Sequence, residues 1–379
     1  MKKILAAALC AALLVCPVLP AQAVAGAPAV ECASAVLMEK ETGTVLFEQN
    51  AHDKLEPASV TKVMTLLLIM EALDVGRLNL TDTVSVSARA AGMGGSQVYL
   101  KEGEQMSVDD MLKAVAVVSG NDAAVALAEH LCGSEEGFVA LMNKRARELG
   151  MEDTNFLNCT GLPAAGHLTS AYDIALMSRA LVGYPDIRKY TTIWMDSIRN
   201  GAFQLANTNK LVRFYEGTTG LKTGSTDSAL YCLSATAERE GMELIAVVMK
   251  GPTSEKRFES AKSMLNFGFA NYTLLDVYPG AALPPIDVLL GEQSQVQPRL
   301  TRSSRILIDK ADLNSVDTSL HLAENVEAPV EAGQKLGEMV VTVNGQEKEH
   351  IDIVAEQAVE RLSTFGIFRN FLHRFFMAE

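Results

Sequence analysis

The sequence predicts a mixed fold of the α/β (α+β) class, followed by a small all-β domain and a C-terminal amphipathic helix. Three observations carry this expectation. Short apolar runs of strand character open the chain and return after Gly217, with helical periodicity between them. Beyond about Asp276 the pattern becomes short strands punctuated by turn residues. The last stretch places its aromatic residues on one helical face.

Each element follows in order. Ser34 to Asn50 alternates in character around Glu41-Thr42-Gly43, which reads as a hairpin. From Ser59, residues Val60, Val63, Met64, Leu67, Leu68 and Met70 recur near helical spacing, so a buried helix starts close to Ser59. Val108 to Leu131 holds two helical stretches interrupted by Ser119-Gly120-Asn121. Phe138 to Leu149 is another, and Ser170 suits the N-cap of one reaching Leu181. Leu230 to Thr236 and Leu244 to Met249 suit central strands, and Ser254 to Phe267 is helical again. This predicts a sheet built from both ends of a domain spanning 32–272, with a helical cluster beside it. Pro279-Gly280, Pro284-Pro285, Gly291, Gly333 and Asn344-Gly345 then divide a β-rich unit, 276–359.

The two termini speak to location. Lys2 and Lys3, the apolar run Ile4 to Leu19, and Ala21-Gln22-Ala23 read as a secretory signal peptide over 1–23, placing the protein outside the cytoplasm. An uncleaved anchor is the alternative, though the run is short for a bilayer span and ends in Pro17 and Pro20. Val15 stands where a lipoprotein signal at Cys16 would need a small residue. Over 361–379, Leu362, Phe365, Phe368, Phe371, Leu372, Phe375 and Phe376 share one helical face, with Arg361, Arg369, His373 and Arg374 largely opposite. That suits a peripheral anchor on a membrane surface, or a terminal helix docked on its own domain.

The formal net charge of -13, with no long basic run in the body of the chain, argues against nucleic acid as a partner. Cys32, Cys132, Cys159 and Cys232 remain after the leader, without a CxxC pair; metal-ligand spacing is absent, and no metal or cofactor is expected. Four cysteines allow three disulfide connectivities, and buried free thiols fit equally. His52, His130 and His167 read as structural or surface residues, and Trp194 as packing.

Three short motifs carry chemistry. Ser59-Val60-Thr61-Lys62 puts a hydroxyl and an amine one helical turn apart, where a lysine with lowered pKa could take the serine proton. Alone, the pattern is common and reads first as a capping serine beside a surface lysine. Ser119 and Asn121, two residues apart in a turn, offer a proton relay and an amide partner. Lys222-Thr223-Gly224 offers a cation and a hydroxyl for a carboxylate, with glycine allowing a backbone to come close.

Together and in this order, the three resemble the signature of penicillin-binding proteins and class A β-lactamases, with Gly120 where aspartate is usual. The S-G-N form is similar to that of the low-molecular-mass D-alanyl-D-alanine carboxypeptidases. Pro57 to Lys62, Asn158 to Pro163, and Leu221 to Thr226 resemble that family, as does Glu327 to Gly337 of its β-rich second domain. The resemblance implies a serine β-lactamase/transpeptidase-like catalytic domain that cleaves peptidoglycan pentapeptides ending in D-Ala-D-Ala and is acylated by β-lactam antibiotics. It assigns Ser59 as nucleophile, Lys62 as general base, Ser119 as proton relay and Asn121 as amide partner. Lys222 and Thr223 would bind the terminal carboxylate, and the backbone N–H groups of Ser59 and Ser225 would form the oxyanion hole. Some members carry histidine where Ser225 stands. The loop Gly92 to Ser96 lies where the family borders its site. Two alternatives remain: a β-lactamase, for which the expected glutamate-x-x-Leu-Asn form is missing near Glu152 to Phe156, and a non-hydrolytic penicillin-binding sensor, which would normally have lost a motif residue.

Overall fold

The computed structural model describes residues 26–278 and 282–368. The signal peptide read over 1–23, the Pro279-Gly280 break, and the helix beyond residue 368 lie outside the described residues.

A hairpin opens the domain, β1 (Ser34–Glu39) and β2 (Val45–Gln49), its turn capped by the buried Glu39 carboxylate, which accepts from the N–H groups of Glu41 and Thr42. A 3-10 turn, Ala58–Thr61, leads into α1 (Lys62–Asp74). Helices α2 (Val108–Val118), α3 (Asn121–Cys132), α4 (Glu135–Glu148) and α5 (Ala171–Val182) follow. Then come β3 (Thr218–Thr226), β4 (Leu230–Arg239), β5 (Met242–Gly251) and α6 (Ser254–Asn271). The five strands form one sheet in the order β2-β1-β5-β4-β3, antiparallel throughout. The chain's beginning and end thus meet at β1 and β5, where Leu37 faces Ala246.

Local chemistry explains where the helices begin. Ser107, Ser134, Ser170 and Thr253 each accept a hydrogen bond from the N–H three residues on, satisfying one otherwise unpaired donor of the first turn. Helix α1 is apolar on nearly every side, so it can only be central: residues 62–70 are all buried. One core lies between α1–α5 and one face of the sheet; a second lies between the other face and α6, where Leu37, Leu244 and Val248 meet Leu265 and Phe269. Strand β5, buried on both faces, is the continuous apolar run expected of a central strand.

The second domain is β-rich. Lys335–Val343 and Gln346–Ala355 form its main hairpin, flanked by Pro298–Leu300 and Val316–Leu322. Tyr272–Asp276, directly after α6, pairs with Arg305–Asp309, so the chain enters this domain without a loop. Arg305 reaches back across the junction, pairing with Glu41 at 2.7 Å and donating to the Gly241 carbonyl at 2.6 Å.

The structure adds one strand and lengthens one helix. Lys222-Thr223-Gly224 lies inside β3, a strand not marked in the sequence because polar and glycine positions gave 218–226 no apolar rhythm. Helix α6 runs on to Asn271, four residues beyond the apolar periodicity. Cys32, Cys132, Cys159 and Cys232 are all free thiols.

Candidate active site

Ala58 opens the 3-10 turn with φ +48, an unusual value for a residue with a side chain, immediately before Ser59. One turn later Lys62 is fully buried. Its Nζ donates to Ser59 Oγ at 3.0 Å, to Asn121 Oδ1 at 2.5 Å and to the Thr160 carbonyl at 2.7 Å. An ammonium uses all three of its donors in this way. Burial lowers the Lys62 pKa to about 7, with the nearby Asp122 carboxylate opposing the shift. Once deprotonated, the nitrogen has a lone pair, and of its three partners only the Ser59 hydroxyl can donate to it.

The second wall comes from the break between α2 and α3. Ser119 ends α2 in the left-handed region, φ +67, and its buried Oγ has no hydrogen-bond partner. Asn121 opens α3: its Nδ2 donates to the Gly94 carbonyl and its N–H to the Ser96 carbonyl, both at 2.7 Å. The loop 92–96 therefore fixes the amide orientation that turns Oδ1 toward Lys62. Asp122, next in sequence, accepts from the N–H groups of Val98 and Leu100 at 3.0 Å and holds the far end of that loop.

The Thr160 carbonyl reaches Lys62 because 158–161 lies tightly along α1. Asn158 Oδ1 accepts from the N–H groups of Thr160 and Gly161, and Thr65 donates to the Cys159 carbonyl at 2.7 Å. Gly161 has φ +83, and a Cβ there would fall 1.8 Å from the Ala58 carbonyl oxygen, so no other residue fits. His167 braces the same turn: Nδ1 accepts from Leu157 N–H, leaving Nε2–H to donate to Thr61 at 2.9 Å. Burial holds this ring neutral, its pKa lowered to about 4.

The third wall is β3. Lys222 is buried and donates to the Thr223 carbonyl at 2.8 Å; burial, with the positive charges of Lys62 and Arg257, pushes its pKa well down. Thr223 Oγ1 and Thr208 Oγ1 are 2.7 Å apart. A Cβ on Gly224 would fall 2.8 Å from the Ser59 nitrogen, so glycine lets the strand press against the turn that carries Ser59. Ser225 follows, exposed at the rim.

Ser59, Lys62 and Asn121 are thus joined by hydrogen bonds. Ser119, Lys222, Thr223, Gly224 and Ser225 border them without bonding to them directly. Sequence reasoning missed the Thr160 carbonyl, Asp122 and Thr208. Asp122, beside a motif residue, and Thr160, inside the stretch Asn158 to Pro163, left a signal; Thr208 left none.

Residues 21–253 match the family model described as D-alanyl-D-alanine carboxypeptidase, and residues 278–361 match that of the penicillin-binding protein 5 C-terminal domain. The chain is 42% identical to D-alanyl-D-alanine carboxypeptidase DacF of Bacillus subtilis over 336 residues, 87% of this chain and 86% of the relative. It is 35% identical to DacC of Escherichia coli over 90% of this chain and 87% of that one. Penicillin-binding protein 5 from Haemophilus influenzae superposes with a TM-score of 0.79 at 30% identity, covering 89% of this chain and all of the other. Ampicillin-bound penicillin-binding protein D2 from Listeria monocytogenes matches 63% of this chain and 98% of its own, with a TM-score of 0.58 and 33% identity. The two family-model matches cover both domains, and the chain belongs to the D-alanyl-D-alanine carboxypeptidase family of serine hydrolases.

Proposed function

We propose that Ser59 is the nucleophile that removes the terminal D-alanine from peptidoglycan stem peptides ending in D-Ala-D-Ala. The observation that carries this reading is the contact between the buried Lys62 amine, pKa about 7, and the Ser59 hydroxyl at 3.0 Å. Ser59 Oγ adds to the carbonyl between the two D-alanines as its proton passes to the Lys62 lone pair. The backbone N–H groups of Ser59 and Ser225 receive the oxyanion, an interaction worth several kcal/mol of barrier. The close seat of Gly224 against the Ser59 nitrogen supports this pairing. Ser119, buried and unpartnered, relays the proton: it protonates the departing amine as it takes up the proton that Lys62 received from Ser59, and Asn121 holds the peptide amide. Lys222 and Thr223 receive the terminal carboxylate, whose charge raises the depressed lysine pKa and keeps that amine protonated. Water then hydrolyses the ester.

β-Lactams acylate the same serine, since their ring amide presents a carbonyl to it in place of the peptide bond. The catalytic unit is 32–272 and the β-rich unit 276–359. The leader over 1–23 exports the chain, and the helix over 361–379 holds it peripherally on the outer face of the cytoplasmic membrane. No described helix is long and apolar enough to cross a membrane.

Free D-alanine released from a peptide ending in Lys-D-Ala-D-Ala tests the reading. Release by the wild-type chain and none by Ser59→Ala supports the reaction and the nucleophile together; no release by the folded wild type overturns it.

A further inference from the structure

The end of the described chain is stitched onto one turn of the β-rich domain. Leu362 N–H donates to the Leu290 carbonyl and Glu292 N–H to the Glu360 carbonyl, each at 2.8 Å, with an antiparallel bridge between Gly291 and Arg361. Ser363 caps the helix that follows, its Oγ accepting from Gly366 N–H at 3.2 Å. Helical structure from Thr364 therefore starts two residues from the turn.

Four large apolar side chains stand in solvent around this junction: Leu289 is 50% exposed, Leu290 38%, Phe365 76% and Phe368 57%. In the strand Ile286–Leu289, Ile286 and Val288 face the core, so Leu289 occupies an outward position that normally carries a polar residue. Leu290 has φ +58, a conformation suited to asparagine or glycine and poor for a bulky apolar residue. Leucine at either place leaves a large share of its apolar surface in solvent.

We infer that the Leu289-Leu290 turn is a second membrane-contacting element, entering the lipid interface beside the C-terminal helix. This rests on the proposed membrane attachment of that helix. A lipid surface is the occupant because the sequence after Phe368 continues with Phe371, Leu372, Phe375 and Phe376 beside Arg369, His373 and Arg374, a composition that suits the interface. The turn itself is not cationic. Arg361 is paired with Glu327 at 3.0 Å, and Glu292 and Glu360 lie beside it, so this contact acts through apolar burial and not through charge.

The test is co-sedimentation of the full chain with phosphatidylcholine vesicles, with and without phosphatidylglycerol, against the variant Leu289→Ser, Leu290→Asn. Asparagine suits the left-handed position, so the thermal unfolding midpoint should hold. Partitioning should fall about tenfold in the variant, from the apolar area withdrawn. The loss should persist in high salt, because burial is not screened as charge is. Equal binding by both proteins overturns the inference and leaves the helix as the whole attachment. No binding by the wild type overturns the membrane reading itself. A lipid-free dimer that the variant breaks, seen by sedimentation velocity, assigns the face to a second copy and also overturns it.

Discussion

Lys62 Nζ lies 3.0 Å from Ser59 Oγ, and its other two partners, Asn121 Oδ1 and the Thr160 carbonyl, can only accept. The proton removed from Lys62 by rising pH therefore leaves a lone pair with one useful direction. With the Lys62 pKa near 7, acylation should rise with pH, with a midpoint near 7. Lys62→Arg should flatten that limb and slow acylation about 10³-fold, since a guanidinium stays protonated. Stopped-flow acylation by a chromogenic β-lactam from pH 5 to 9 measures both; an unchanged profile in the variant would remove Lys62 as base.

Asp122 accepts two loop N–H groups, and its charge raises the Lys62 pKa against the effect of burial. Asp122→Asn should lower the thermal midpoint, at a cost of about 1–3 kcal/mol for the unsatisfied donors. Removing the negative charge also lowers the Lys62 pKa, so the acylation midpoint should move to lower pH. A shift to higher pH would contradict the electrostatic assignment.

Two glycines with similar φ separate conformational cost from steric cost. Gly150, φ +75, has nothing within 4 Å of an added Cβ, whereas at Gly161 that atom meets the Ala58 carbonyl. Gly150→Ala should cost about 1 kcal/mol from backbone strain alone. Gly161→Ala should cost several times more and abolish β-lactam labelling, as judged by urea unfolding and gel fluorescence.

Thr208 joins two walls: its N–H donates to the Val117 carbonyl at 3.1 Å and its hydroxyl lies 2.7 Å from that of Thr223. Thr208→Val keeps the first contact and loses the second. KM for the D-Ala-D-Ala peptide should rise about three- to tenfold with kcat nearly unchanged, as expected for a group that orients a binding hydroxyl. A fall in kcat alone would place Thr208 elsewhere in the reaction.

His167, buried and neutral, has its folded pKa lowered from 6.5 to about 4. Its unfolded form takes up a proton first as pH falls, so its contribution is full above 6.5 and lost progressively down to about 4. That loss amounts to at most about 3 kcal/mol. His167→Gln, which can still bond Thr61, should flatten the acid limb of a stability-against-pH curve over this window.

By itself, the sequence determined the mixed fold, the helix cap at Ser170 and the three motifs. These are local properties: Ser170 caps the helix that follows it, β5 is a continuous apolar run, and Ser59 and Lys62 are one turn apart by helical spacing. Tertiary structure decided the surroundings of the Lys62 amine. Its depressed pKa comes from burial, and its partners at 121 and 160 are distant in sequence, on α3 and on a loop laid along α1. No periodicity marks a backbone carbonyl as an acceptor, or a threonine at 208 as the partner of one at 223. Such pairings exist only after packing excludes water, and the exclusion of water is also what moves the amine's pKa.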